Sequence, residues 1–335
     1  MRRRVWSAAL ATLFGIALAC GVAEVAARLA GRLPWRYVSV DPRIPVLNDF
    51  DPELGWQPKP GSYVIPPFTA GAKPTHITIQ PDRSRATGTP GDRARELLLV
   101  GCSFTFGWGV SDQDSFAWKL QEHLPRYDVV NHGVGGYGTY QSLLILERLL
   151  ADGPPPARVL YGYMQGHEFR NVAHPVWTFS LTKYARQRMV EVPFCTVDGD
   201  GHLQRQPPER YPEWPLQGHS ALVNFLEESY MRRKVPERTA QAQAVTDQLL
   251  LEMADLCRRH GVQFSMLLLL AEDTVRDHYV RFLREHDIDL IDCARPLTPD
   301  KKVPGDGHPN ELLHAEWADC IAAALTAKDA TNGNG

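Results

Sequence analysis

From residue 96 onward the chain repeats one pattern: a short apolar, β-branched run followed by a stretch of helical periodicity. Five such runs recur, "ELLLVG" (96–101), "YDVVNHG" (127–133), "ARVLYGYM" (157–164), "VQFSMLLLL" (262–270) and "IDLIDC" (288–293). Between and after them lie "SFAWKLQEHL", "TYQSLLILERLL", "QAVTDQLLLEMADLCRRHG", "DHYVRFLREH" and "NELLHAEWADCIAAALTA", whose apolar residues return every three to four positions. Alternating strand and helix implies right-handed crossovers, and so an α/β fold with a five-stranded parallel sheet and helices on both faces. Ligands of open α/β sheets bind at the carboxyl ends of the strands, which directs attention to the loops after the runs.

The 335 residues are enough for one large α/β domain with additions, or for two small domains. The N-terminus, "MRRRVWSAALATLFGIALACGVAEVAARLAGR", opens with three arginines and then carries no charge from Val5 to Ala23. At ~1.5 Å per residue this run with its flanks approaches the ~30 Å of a bilayer's hydrocarbon. Residues 1–33 are therefore expected to form a transmembrane signal anchor, with the arginines cytoplasmic and the remainder outside. A cleaved signal peptide is the alternative, since Ala17-Leu18-Ala19 is a small-residue site after an apolar stretch. The helical pattern that continues through "EVAARLAGRL" to Pro34 favours the anchor.

Residues 34–95, rich in proline and glycine, read as an extended lead-in that packs on the domain, and 328–335 as a disordered tail. Residues 172–235 are too long for a simple connection and read as an insertion after the third core strand. Within it "EVPFCTVDGDGHLQRQ" has the form of a hairpin turning at Asp198-Gly199 or Asp200-Gly201. The insertion is a candidate lid or substrate platform, or an edge hairpin with no substrate role.

Composition narrows the chemistry. With 44% hydrophobic and 22% charged residues and a formal net charge of -3, the chain has no bias toward nucleic acid. Its six cysteines lack CxxC or Cys/His ligand spacing, which argues against a metal site and leaves one or two disulfides open. No cofactor motif stands out. Ser103, in "GCSFTFGWGV" (101–110), follows the first core strand directly, where a serine can expose Oγ while its backbone N–H faces the same space. The glycines after it permit a tight path and place a helix start near Ser111 or Asp112. This is not the GxSxG elbow. At the far end "VPGDGHPNELL" sets Asp306 two residues before His308, ahead of a helix opening at Pro309. A carboxylate there can fix the imidazole tautomer, leaving Nε2 as a base. A serine in a glycine-rich turn, or Asp-Gly-His before a helix, is by itself commonly turn chemistry; the Ser…Asp…His combination is what points to catalysis.

Over roughly residues 51–327 the sequence resembles the SGNH/GDSL hydrolases, and in particular their membrane-anchored bacterial members, through "DPELGWQPKPG", "GCSFTFGWGV", "NHGVGGYGTYQ", "YMQGHEFRN" and "DGHPN" in that order. The resemblance implies a flavodoxin-like three-layer catalytic domain over 96–327 acting on O-acyl, chiefly O-acetyl, esters through an acyl-enzyme and without a cofactor. It assigns Ser103 as nucleophile and Asp306 and His308 as its partners, with Ser103, Gly136 and His167 forming the oxyanion hole. Two departures stand out. Cys102 replaces the family's usual Asp, and His167-Glu168 occupies the place of an Asn-Asp pair, so that either His167 or Asn171 would donate in the asparagine's stead, or neither. Tyr137, Tyr140 and Trp108 fall near the expected site mouth and are either sugar-stacking or packing residues, while His132, His174 and His219 read as structural.

The implied partners are an acylated small molecule or glycan and the membrane. Water as acceptor gives an esterase, whereas a sugar hydroxyl gives an O-acyltransferase of an envelope or exported polysaccharide. A catalytically inactive glycan-binding domain is a further reading, prompted by the altered third block. A phosphate-binding flavodoxin-like protein ranks behind these.

Overall fold

The computed structural model describes residues 2–36, 42–90, 95–184 and 190–332; expectations that fall on 37–41, 91–94, 185–189 and 333–335 lie outside them. The chain opens with helix α1 (Arg2–Leu29). In the lead-in, strands β1 (Asn48–Asp51) and β2 (Gly55–Pro58) pair antiparallel, as do β3 (Gly61–Ile65) and β4 (Thr75–Ile79). Then come β5 (Glu96–Gly101), α2 (Ser103–Phe106), α3 (Phe116–His123), β6 (Asp128–Gly133), α4 (Thr139–Asp152), β7 (Arg158–Met164), α5 (His167–Asn171) and α6 (Pro175–Tyr184). The hairpin β8 (Glu191–Val197) and β9 (Leu203–Arg210) precedes α7 (Ala221–Arg259), β10 (Gln263–Leu270), α8 (Asp273–Glu285), β11 (Asp289–Asp292) and α9 (Glu311–Asn332).

The five apolar runs form one parallel sheet in the order β11-β10-β7-β5-β6. Alternate residues of each strand face opposite layers, because side chains repeat every two residues. Leu98, Val100, Val159, Tyr161, Met266 and Leu268 join a core with α4, α7 and α8, while Leu97, Leu99, Leu160, Leu267 and Leu269 join another with α3 and α9. Both sets are almost fully buried. Burying one such Leu or Val side chain contributes about 1.5–3 kcal/mol, so these two layers fix where every strand ends.

The chain divides into two units. One comprises Met1–Val40, Pro175–Val190 and Arg210–Arg238; the other, with the sheet, comprises Asp41–His174, Glu191–Glu209 and Thr239–Gly335. The insertion is thus split: its hairpin folds with the sheet unit and its outer pieces with the N-terminal helix. Within the sheet unit the lead-in is joined to edge strand β6 by an Arg85–Asn131 bridge. The hairpin turns where expected, with the Asp198 N–H donating to the His202 carbonyl and Gly201 at φ +84°. Two boundaries differ from the expectation. Helix α7 begins well before the periodic stretch at 243 and continues through Pro236, and residues 328–332, assigned to the tail, belong to α9.

Candidate active site

Ser103 does not wait for a later helix. It starts the single-turn α2 immediately after β5, and Gly107, at φ +83°, ends that turn; the helix expected near Ser111 follows as a 3-10 turn at Asp112–Asp114 and then α3, capped by Ser115. Three glycines let α2 sit directly on the strand ends. A Cβ on Gly101, Gly133 or Gly162 would come within 2.3, 2.8 and 2.1 Å of the Thr105 side chain. With no side chains at these three positions, Thr105 fits into the gap and Ser103 is held at the carboxyl edge of the sheet.

Asp306 and His308 arrive on the loop before α9. Gly305 and Gly307, at φ +83° and +94°, flank Asp306 and allow the chain to fold back, with the Val303 N–H donating to the His308 carbonyl at 2.7 Å. The helix starts at Glu311 and not at Pro309, because the Asn310 side chain accepts from the Leu312 and Leu313 N–H groups as its cap. His308 Nε2 lies 3.0 Å from Ser103 Oγ, and its Nδ1 lies 2.5 Å from Asp306 Oδ1. Trp108 Nε1 donates to Asp306 Oδ2 at 3.2 Å. Burial pushes the Asp306 carboxyl up, but the hydrogen bond and charge of His308 and the Trp108 indole outweigh it and hold the group below the usual carboxylate range. An ionised Asp306 accepts from Nδ1–H, which leaves Nε2 to accept the Ser103 hydroxyl proton. The three residues inferred from opposite ends of the sequence are therefore in one hydrogen-bonded line.

Gly136 lies in the turn after β6 at φ +88°. Its neighbours are tied down, since the Gly135 carbonyl accepts from Trp56 Nε1 at 2.9 Å and the Tyr137 carbonyl from Arg170 Nη1 at 2.8 Å. Within the described residues neither the Ser103 nor the Gly136 N–H is used in a hydrogen bond.

Among the described residues the His167 side chain makes no hydrogen bond to Ser103, Asp306 or His308. Its ring is fully buried; Nδ1 meets the Tyr161 hydroxyl at 2.6 Å, and Nε2 is closed to solvent with no partner among the described residues. Burial, with the Arg170 charge, lowers its pKa well below the usual imidazole value, so the ring is neutral. Asn171 is equally committed, donating to Thr139 and Thr246 and accepting from the Tyr140 N–H. Glu168 accepts from the Tyr163 and Tyr279 hydroxyls, tying α5 to α8. Tyr137 and Tyr140 are buried as packing residues, and Cys102 points into the core beside Phe104.

Sequence reasoning missed Arg85. Its side chain is fully buried, pairs with Asp112 at 3.1 Å, and donates to the carbonyls of Phe106 (2.6 Å), Gly107 and Val110 (2.7 Å). The loop that carries Trp108 is thereby clamped from the lead-in. Among the described residues one trio could ligate a cation, the exposed Asp198, Asp200 and His202 at the hairpin turn, but Asp198 already closes that turn.

No protein-family model matches the chain, and no curated protein matches it by sequence. Solved structures similar to it include a member of the lipolytic protein G-D-S-L family from Veillonella parvula, with 13% identity over 70% of this chain and 99% of that one and a TM-score of 0.41. The psychrotrophic esterase EstA from Pseudoalteromonas matches with 12% identity over 69% and 99% of the two chains, TM-score 0.39. An acetylxylan esterase, Axe2, from Geobacillus stearothermophilus matches with 14% identity over 70% and 94%, TM-score 0.36.

Proposed function

We propose that this protein is a serine ester hydrolase of the SGNH/GDSL type, acting on O-acyl and chiefly O-acetyl esters of a small molecule or glycan. One observation carries the reading: the line from Asp306 through His308 to Ser103 at the carboxyl edge of a parallel sheet, closed by contacts of 2.5 and 3.0 Å. His308 takes the Ser103 proton as Oγ bonds to the ester carbonyl carbon. The N–H groups of Ser103 and Gly136 receive the developing oxyanion, and preorganised donors of this kind are worth about 3–4 kcal/mol each. Collapse breaks the carbon–oxygen bond to the alcohol, which leaves with the proton from His308. Water, deprotonated by His308, then adds to the acyl-enzyme, and Ser103 departs as the free hydroxyl along with the carboxylic acid. His167 is left out of the donor set because of its burial.

The same reading places the enzyme on the membrane with its sheet unit outside the cytoplasm. The helical stretch Val5–Leu29, whose most apolar 18-residue window has a mean hydropathy of 2.0, is long enough to span, and a signal sequence would meet the same criterion. The Cys293–Cys320 disulfide suits an oxidising compartment. A fluorophosphonate probe tests the chemistry: the expected adduct maps to Ser103 by mass spectrometry and is lost in Ser103→Ala. Labelling that persists in the variant, or that maps to Cys102, refutes the assignment.

A further inference from the structure

The N-terminal helix and the outer pieces of the insertion fold as one unit, and the bonds between them run from Glu24 to the segment just after α1. Counted from Val5 to Ala23, the uncharged run rises about 28 Å, close to the ~30 Å of bilayer hydrocarbon. Glu24 is the first charge beyond it. Its carboxylate accepts from Ser220 Oγ at 2.7 Å and from the N–H groups of Ala221 and Leu222 at 3.0 and 2.9 Å, the opening of α7. One turn on, Arg28 donates to Glu24 at 2.6 Å and to the His219 carbonyl at 2.9 Å. Past the end of α1, Asn224 donates to the Leu33 carbonyl, the Trp35 N–H to the Gln217 carbonyl, and the Arg32 guanidinium lies 5.0 Å over the Phe225 ring.

The start of α7 is thus fastened where the apolar run ends. Exposed on the last turn of α1, the segment after it and the chain around the start of α7 are Leu29, Leu33, Leu216, Phe225, Leu226 and Tyr230. Of the exposed arginines there, Arg28 pairs with Glu24 and both Arg32 and Arg232 pair with Glu228, at 3.6 and 3.1 Å, so that among the described residues Arg36 and Arg233 are the ones with no carboxylate partner. Leu226 lies only about 6 Å along α7 from Leu222, comparable with the depth of one headgroup layer. Large apolar and aromatic side chains mixed with arginines match the chemistry of that layer, where acyl chains meet phosphates.

We propose that this unit is an interfacial collar: the turn at 216–220 and the first turns of α7 rest in the phospholipid headgroup layer, with apolar side chains toward the acyl boundary and Arg36 and Arg233 toward lipid phosphates. The outer pieces of the insertion then serve the membrane, in place of the substrate cover that their position in the sequence suggests. The proposal rests on α1 staying in the bilayer as an anchor.

The test uses the full chain in phosphatidylcholine–phosphatidylglycerol vesicles. A Cys20→Ser background removes the exposed thiol, and an environment-sensitive fluorophore is placed at Leu226→Cys, Leu13→Cys or Asp200→Cys. Nitroxide lipids labelled at the headgroup should quench the label at position 226 several-fold more than the label at 200, and nitroxides deep in the acyl chain should quench the label at 13. Adding Glu24→Ala should abolish most of the quenching at 226 and leave that at 13. Deep quenching at 13 with an aqueous label at 226 overturns the collar and leaves the anchor standing. An aqueous label at 13 overturns the anchor, and the collar with it. Unchanged quenching at 226 in Glu24→Ala overturns the role of the Glu24 bonds.

Discussion

His314 makes the sheet unit sensitive to mild acid in a way that can be worked out in advance. Its ring is buried; it stacks against Phe116 with the ring planes 16° apart, and its Nδ1 accepts the Phe116 N–H at 3.2 Å. Protonation would set two donors face to face and bring a charge into an apolar layer, and burial followed by the Arg85, Lys119 and His308 charges lowers the folded-state pKa to about 3. The unfolded chain titrates near ~6.5. Between these values the unfolded state binds the extra proton, so the contribution is present above ~6.5 and is lost as pH falls. From pH 7.5 to 5.0 the wild type should lose about 2 kcal/mol from this group alone, the free energy of protonating an imidazole of pKa ~6.5 in the unfolded state. With a urea slope of about 2–3 kcal/mol per M, the unfolding midpoint should fall by about 0.7–1 M. The control is His314→Gln, which can still accept the Phe116 N–H and does not titrate. Its midpoint, followed by tryptophan fluorescence, should shift less than the wild type's over the same pH change by that amount. Equal shifts in the two proteins would refute the assignment of a neutral buried ring.

Asp306→Asn should lower kcat about 10⁴-fold with little change in KM for a chromogenic ester, because the imidazole loses its tautomer and the stabilisation of its charged form. Trp108→Phe removes one donor to Asp306 and should raise that carboxyl's pKa, which following its carboxyl carbon-13 shift against pH would check. His167→Phe should leave kcat within a few-fold of wild type while lowering the thermal midpoint; a loss of 10²-fold or more in kcat would return the ring to the oxyanion hole. Replacing Cys293 and Cys320 with serine opens a loop of sequence separation 27 and should cost about 3.5 kcal/mol in chemical denaturation.

The sheet could be read from the sequence because each core strand is a continuous apolar run, and a strand buried between two helical layers has no polar side to obscure it. Ser103, Asp306 and His308 were legible as a set because local turn chemistry put each beside a strand or helix end. Arg85 was not, since an arginine in a proline-rich lead-in reads as solvated until the carbonyls it serves are placed around it. The burial of His167 was hidden although its partner Tyr161 lies only six residues earlier on β7, because no local spacing reports which way a ring turns. Pro236 obscured the length of α7, since proline removes a helical hydrogen bond and normally marks an end.

The guanidinium of Arg85 also bears on how this protein can be cut or recombined. Three carbonyls of the loop after Ser103 and the Asp112 carboxylate all accept from one side chain in the segment before the first core strand. A fragment begun at residue 96 would keep all five strands and Ser103, Asp306 and His308, yet those oxygens would lose the Arg85 guanidinium. The smallest transplantable piece is therefore the sheet together with its lead-in, and a chimera that exchanges one must exchange the other.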